Sequence, residues 1–378
     1  MKIACVSTSR IPSDTANSIQ VMKACQGLAH LGHALRLFVP DFAPGEARPT
    51  EQQLAEQYGL RTPIDLAWLY ANPRLKRNDF AWSAVAQARR WGADLIYTWT
   101  GQAAVFGLLR GLPVAYEVHD LPSGRVGPLW YRLFFRLPGR KRLLPITHAL
   151  RARLEAHFPV LANTPVVIVP NGVDLEQYAD LPEAPAARQA LSLPEAPTVL
   201  CAGHLYAGRG VELFLGLAER FPEVHFVWVG GRPQDVDHYR ELAKQRAAGN
   251  LSFTGFVSNR RLPCYQAAAD VLLMPYERVI AGSSGGNSAE ICSPMKMFDY
   301  LAAGRAILSS DLPVIHEVLD ETVARFAPPE DLPGWASALG ELLADPILRR
   351  SLGNQAHGAA VGYSWKARAE RALAGLLD

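Results

Sequence analysis

The stretch Ala289-Glu290-Ile291-Cys292-Ser293-Pro294-Met295-Lys296-Met297-Phe298-Asp299-Tyr300-Leu301-Ala302-Ala303-Gly304 decides how this chain is read. It follows a glycine- and serine-rich run over 282–288 and leads into a strand-like Ala306-Ile307-Leu308. Ser293 before Pro294 reads as a helix start, and Pro294 suits the first helical position because it has no N–H to leave unbonded. The first turn of a helix carries N–H groups without intrahelical acceptors and the positive end of the macrodipole, so it stabilises phosphate. Spacings of three and four residues place Lys296, Asp299 and Tyr300 on one face, with Met295, Phe298 and Leu301 toward the other. By itself the segment is equally an ordinary buried helix with a surface Lys296/Asp299 pair.

Outward from that segment, 378 residues predict two domains. Hydrophobic residues at 49% and charged ones at 20% suit large buried cores and exclude a disordered chain. A net charge of +2 gives no sign of a general nucleic-acid binder, while leaving room for local basic patches. The five cysteines, Cys5, Cys25, Cys201, Cys264 and Cys292, are far apart and never in a metal-like pair. They read as reduced cytosolic thiols with no structural zinc site. The N-terminus runs directly into a strand-like segment without the pattern of a signal peptide, and no run of about 18 apolar residues occurs. A soluble, cytoplasmic protein is expected.

Short β-type runs at 3–6, 35–39, 95–98, 114–117, 142–147 and 166–169 alternate with amphipathic stretches such as 18–31 and 81–91. A second series follows at 198–202, 225–229, 251–253, 271–274 and 306–309. This alternation predicts parallel sheets wrapped by helices. Between the series lie the turn signal Asn171-Gly172-Val173-Asp174 and a Pro- and Ala-rich stretch over 181–197, which puts the domain boundary near 175–195. The expected fold class is α/β, with two doubly wound, Rossmann-like domains facing across a cleft at the carboxyl ends of their strands. The expected ranges are 1–178, 179–360, and a terminal helix over 361–378.

After the run at 198–202 comes Gly203-His204-Leu205-Tyr206-Ala207-Gly208-Arg209-Gly210 and then a helical stretch over 211–220. Strand, cationic glycine loop and helix are the parts of a phosphate cradle. A Walker A loop is rejected, because Arg209 and Gly210 stand where Lys and Ser/Thr would be needed. A plain strand-to-helix turn remains the simpler local reading.

The chain resembles glycosyltransferase family 4, with the GT-B fold. The resemblance rests on seven landmarks in order: Ala16-Asn17-Ser18-Ile19-Gln20-Val21-Met22-Lys23 with Leu31-Gly32-His33; Tyr116-Glu117-Val118-His119-Asp120; Ile146-Thr147; Val169-Pro170-Asn171-Gly172-Val173-Asp174; the loop over 203–210; Phe253-Thr254-Gly255-Phe256-Val257; and the stretch over 293–304. It implies a retaining hexosyltransferase that takes a sugar from a UDP- or GDP-sugar to an acceptor hydroxyl, independent of metal and without a cofactor beyond the nucleotide-sugar co-substrate. Its implied partners are that donor and a small-molecule, lipid-linked or glycan acceptor, with no nucleic acid and with weak peripheral association at the inner face of the membrane.

The resemblance assigns His119, Arg209 and Asp299 as the candidate catalytic group. His119 reaches the donor sugar, Arg209 stabilises the departing diphosphate, and Asp299 takes the place of a glutamate on the ribose hydroxyls. His204 stands where the family has Arg as a second diphosphate contact. Gly203, Ser293, Pro294, Met295 and Lys296 complete the implied phosphate site, and Phe256 with Val257 line the base pocket. The partner glutamate near the hexose falls on Ile291, with Glu290 one residue early, so the donor sugar stays open. Asn17 and Ser18 match a loop facing phosphate or acceptor, and helix capping is their simpler role. The implied chemistry is same-face attack, with the leaving phosphate taking the acceptor proton and positioned charge supplying several kcal/mol.

Two features read as decoys. Asp235-Val236-Asp237 matches a metal-binding Asp-x-Asp, but it lies at a helix start where acidic residues are favoured anyway. The basic and aromatic run over 132–142 matches a membrane-surface helix, but Pro138-Gly139 interrupts it and a solvated face is preferred. A nucleotide-sugar epimerase of the same architecture and a noncatalytic nucleotide-sugar binding protein are the rival functions.

Overall fold

The computed structural model describes residues 1–159, 161, 164–246, 248–280 and 287–376. The glycine-rich run before Asn287 therefore lies outside the described residues. The chain divides into two compact units, Met1–Asn171 with Trp365–Asp378, and Gly172–Ser364. The first break falls seven residues before the expected 178/179.

In the N-terminal unit the order is β1 (Lys2–Val6), α1 (Ala16–Ala29), β2 (Ala34–Pro40), α2 (Glu51–Tyr58), β3 (Asp65–Leu69), α3 (Asn78–Trp91), β4 (Leu95–Thr98), α4 (Gly101–Leu109), β5 (Val114–Val118), α5 (Gly127–Arg136), β6 (Lys141–Pro145) and α6 (His148–His157). The second unit runs through α7 (Ala184–Ala190), β7 (Thr198–Ala202), α8 (Val211–Arg220), β8 (His225–Val229), α9 (Pro233–Gln245), β9 (Leu251–Phe253), α10 (Leu262–Ala267), β10 (Val271–Met274), α11 (Met295–Ala303), β11 (Ala306–Ser310), β12 (Ala324–Ala327), α12 (Leu332–Ala344) and α13 (Pro346–Ala360). Last comes α14 (Trp365–Leu373), which belongs to the first unit.

Each unit holds one six-stranded parallel sheet, ordered β3-β2-β1-β4-β5-β6 and β12-β11-β10-β7-β8-β9. The two orders are the same doubly wound pattern, reversing between β1 and β4 and between β7 and β10. At such a reversal neighbouring loops leave the sheet in opposite directions and open a crevice at the carboxyl ends. The central strands are wholly buried, so they read as continuous apolar runs rather than as an alternation.

Three details differ from the sequence reading. Strands β3 and β12 sit at sheet edges and are only partly buried, so their pattern is weak. Residues 166–169 form no strand; they run extended beside β6, with the Val167 and Val169 amides bonded to Leu143 and Pro145 carbonyls at 3.1 and 2.9 Å. Pro294 is the cap residue before α11, which starts at Met295.

Aromatic packing fixes the second core: Phe214 meets Phe226 and Trp228 edge to face at 5.4 and 5.1 Å, each pair worth about 0.5–1.5 kcal/mol beyond area burial. Helix α14 is held on α1 at Gly27, where a Cβ would come within 2.4 Å of the Trp365 carbonyl oxygen. Only glycine permits that approach.

Candidate functional site

At the β7–β10 reversal, three glycines shape the loop after β7. Gly203 has φ +133°, and its carbonyl accepts the Trp228 Nε1–H at 2.9 Å. Gly208 and Gly210 have φ +85° and +74°; a Cβ on them would lie 2.4 Å from the Val279 carbonyl oxygen and 1.9 Å from that of Pro275. The loop is therefore pressed against the segment that leaves β10, and the Gly210 N–H meets Glu277 Oε1 at 3.3 Å. Held between these glycines, the Arg209 guanidinium lies 5.0 Å from the centre of the Tyr276 ring.

From the other side, α11 brings Lys296 Nζ to 5.0 Å from the same ring, 3.6 Å from Cys201 Sγ and 6.0 Å from the Trp228 ring. Two cations thus share Tyr276, a ring only 2% exposed, and stand within about 10 Å of each other, about one screening length at 0.1 M salt. Among the described residues neither forms an ion pair with a carboxylate. Cation–π contact contributes about 0.5–1 kcal/mol per cation and leaves the net positive charge in place. Such a pair can hold an anion.

Both thiols beside it respond to the same charges. Burial raises the Cys201 thiol above its ordinary value, with Lys296 opposing. Burial pushes Cys292 up to about 11, with Arg209 opposing, which places the turn before α11 beside the glycine loop.

The other sequence-predicted residues are dispersed around this centre. Ser293 is buried, Pro294 and Met295 are half-buried, and with Lys296 they form the start of α11. Ile291 is 3% exposed while Glu290 points to solvent, because the Ile291 and Cys292 amides fold back onto the Ser288 carbonyl at 3.2 and 2.9 Å. The turn does not carry Glu290 inward. Asp299 departs from the shared face read in the sequence: its charge acts on Tyr178, whose hydroxyl also donates to Gln266 Oε1 at 2.8 Å. Tyr300 is fully buried, its hydroxyl accepting the Ala202 N–H at 2.8 Å and donating to the Leu273 carbonyl at 3.2 Å, so it ties β7 to β10. His204 stacks on Tyr206 at 4.9 Å, and Arg232 lies 5.7 Å from that ring. Phe256 follows β9 with its ring 49% exposed and Val257 half-buried beside it. The Asp-x-Asp pair is accounted for by α9: Asp235 lies in its first turn and Asp237 pairs with Arg240 at 3.5 Å. Tyr276 and Arg232 escaped the sequence reading; each follows the carboxyl end of a central strand, which is the signal that could have found them.

In the N-terminal unit, His119 Nε2 lies 2.6 Å from Glu117 Oε1. Glu117 is 0% exposed, and Arg368 Nη2 meets the same oxygen at 2.6 Å. Burial alone would raise this carboxyl; the Arg368 charge, the His119 hydrogen bond and charge and the Tyr97 hydrogen bond together outweigh it, and the value falls from 4.5 to about 2. Asn17 is exposed, and Ser18 is buried with its hydroxyl on Tyr58; Thr15, not either of them, caps α1 by accepting the Ser18 N–H at 3.4 Å. Among the described residues no helix is long and apolar enough to cross a membrane, and no cluster of three metal-ligating side chains occurs.

Residues 18–177 match the family model Glycosyltransferase Family 4, and residues 196–345 match Glycosyl transferases group 1. Together these matches run over most of both units. The chain belongs to glycosyltransferase family 4. It is 32% identical over 205 residues to a phosphatidyl-myo-inositol mannosyltransferase of Mycolicibacterium smegmatis, covering 53% of this chain and 48% of that protein. It is 29% identical over 308 residues to a D-inositol 3-phosphate glycosyltransferase of Xylanimonas cellulosilytica, covering 77% and 67%. The match spans about half the length of the first of these relatives. Sucrose-phosphate synthase from Thermosynechococcus elongatus superposes with a TM-score of 0.73 at 19% identity, covering 97% of this family 4 chain and 96% of that one. Anabaena HepE in complex with UDP gives 0.72 at 16%, covering 98% of each. These likenesses show the GT-B fold.

Proposed function

We propose that this family 4 protein is a retaining hexosyltransferase that uses a UDP- or GDP-sugar and needs no metal. The observation that carries the reading is the pair Arg209 and Lys296 on Tyr276, in no ion pair with a carboxylate among the described residues, beside the start of a nine-residue helix. A nucleoside diphosphate supplies the missing negative charge. Arg209, with its planar fork, bridges its oxygens, and Lys296 adds a point charge. The amides of Met295 and Lys296 add the helix-end field. Phe256, with its ring exposed after β9, offers a face for the base, and Asp299 and His204 take the ribose and diphosphate roles that the resemblance implies.

As the sugar leaves, positive charge develops at its anomeric carbon and negative charge on the diphosphate; Arg209 and Lys296 stabilise the latter more as it grows, which lowers the barrier. The acceptor hydroxyl attacks from the face the phosphate leaves, and the phosphate takes its proton. His119 is assigned to the donor sugar. Names of relatives, among them a phosphatidyl-myo-inositol mannosyltransferase and an alpha-galactosylglucosyldiacylglycerol synthase of Streptococcus pneumoniae, favour a lipid-linked acceptor here. The outer face of α5 suits an anionic lipid surface on the cytoplasmic side, since Leu129, Arg132, Leu133 and Arg136 are all exposed and the helix contains no acid.

A panel of labelled UDP- and GDP-sugars with lipid and glycan acceptors tests the reading. Transfer that persists in excess EDTA is expected, with the α-configured donor giving an α-configured product. No turnover from any donor would overturn it. Donor binding without turnover would instead support a noncatalytic binding protein, the reading that buried Ile291 and outward Glu290 favour.

A further inference from the structure

We propose that Arg368, acting through Glu117, is a positioning residue for His119: it supplies the counter-charge that Glu117 needs, and Glu117 fixes which nitrogen His119 offers to substrate. The proposal deepens the transferase reading, on which the role of His119 rests.

Glu117, on β5, is enclosed by three other elements and by the turn that follows its own strand. From α14, Arg368 Nη2 donates to Oε1 at 2.6 Å; from α1, Gln20 Nε2 donates to the same oxygen at 2.6 Å; from β4, the Tyr97 hydroxyl donates to Oε2; and His119 Nε2 completes the set at 2.6 Å. The thiol of Cys25 also feels this charge: burial raises it, as do Cys5 and then Glu117. A carboxylate cut off from water is stable only beside a buried cation with its remaining lone pairs bonded, and Arg368 is the group here that cannot surrender its proton. With Glu117 ionised, the proton in its bond to His119 belongs to Nε2. A neutral imidazole then carries its lone pair on Nδ1, so Nδ1 is the nitrogen that accepts a hydroxyl of the substrate.

The guanidinium is itself locked. Its Nε donates to the Pro170 carbonyl at 2.8 Å, Nη1 to the Tyr97 hydroxyl at 3.2 Å, and Nη2 also reaches the Val169 carbonyl at 3.3 Å. Only the planar fork of arginine meets these directions at once. Arg368 stands in the apolar stripe of α14, between Trp365, Ala369 and Ala372, a position where burying a charge is costly unless the charge has work to do. The terminal helix thereby sets the state of a site residue, not only the packing of the unit.

Nitrogen-15 NMR of the histidine-labelled full chain tests this without any substrate, with the His119 signal assigned by its loss in His119→Gln. The wild-type ring, when neutral, is expected to carry its proton on Nε2. In Arg368→Gln that preference is expected to disappear, and kcat to fall about 10- to 100-fold, as for a misplaced site group, with KM for the nucleotide sugar within about twofold. If Arg368→Gln does not fold, the double variant Glu117→Gln/Arg368→Met, which leaves no buried charge unpaired, takes its place with the same expected readings. A wild-type ring protonated on Nδ1, or a variant whose His119 spectrum matches wild type, overturns the proposal. Because the tautomer is read with no donor present, failure of sugar transfer sinks the transferase reading and not this one.

Discussion

The two units share one sheet order and put opposite electrostatics at it. In the N-terminal unit the charged groups beside β4 and β5 satisfy one another: Glu117 and Arg368 are 0% and 2% exposed and meet at 2.6 Å. In the C-terminal unit, at the β7–β10 reversal, Arg209 and Lys296 share an aromatic ring and meet no carboxylate among the described residues. The first arrangement spends its charges on holding a structure and orienting one histidine. The second leaves charge for a ligand. The contrast predicts that substitutions in the first network act chiefly on stability and those in the second chiefly on binding and turnover.

The largest effect should come from Glu117→Ala. It strands the Arg368 charge in the core, and breaking a buried pair by removing one member costs about 3–5 kcal/mol. Urea unfolding of the variant measures it; a cost below about 1 kcal/mol would mean that water reaches the pair and that the contrast is wrong. Next is Arg209→Ala, expected to lower kcat/KM for the proposed transfer by about 10²–10³-fold while the melting temperature holds within about 2 °C. An equally large loss of stability would place Arg209 with the structural charges instead.

Acid sharpens the same comparison. The Glu117 carboxyl is depressed from 4.5 to about 2 in the fold, against burial and by the Arg368 charge. A carboxyl lowered in this way contributes stability that is complete above its unfolded value and is lost as pH falls through 4.5 toward 2, here on the order of 3 kcal/mol. Unfolding free energy measured across that window should fall more steeply for wild type than for Glu117→Gln/Arg368→Met. Parallel slopes would show that the pair does not carry the acid sensitivity.

Legibility in the sequence followed the distance over which each feature is determined. Central strands such as β7 and β10 were legible because burial on both faces leaves an uninterrupted apolar run. Edge strands β3 and β12 were not, since half-buried residues carry a weak pattern, and the run at 166–169 imitated a strand while only lying alongside β6. At the site, Arg209 stood out because glycines with positive φ flank it within the same loop. Tyr276 did not, because its importance comes from β10 lying next to β7, which sheet order decides and local sequence does not. Asp299 and Tyr300 were assigned one face from spacing alone, yet the neighbours Tyr178 and Leu273 draw them apart. Arg368 was the least legible, since the residue that explains it, Glu117, is 251 positions away. Its one local trace is an arginine at an apolar-stripe position of α14.

The smallest predicted effect tests whether that distant partner depends on helix packing. Gly27 lets α1 approach α14 so closely that a methyl group would meet the Trp365 carbonyl oxygen at 2.4 Å. Gly27→Ala must push the helices apart by a fraction of an ångström, which costs about 1–3 kcal/mol by the usual penalty for overpacking. The alanine gains helix propensity of up to about 1 kcal/mol, which offsets part of that cost. A net loss of about 1 kcal/mol is therefore expected in urea unfolding, with the displacement passed to Arg368 three residues beyond Trp365. Hydrogen exchange should then report faster opening of the α14 amides than of the β7–β10 amides in the other unit. Equal acceleration in both units would show that α14 is not separately anchored at Gly27, and that the buried charge pair holds its place without the helix contact.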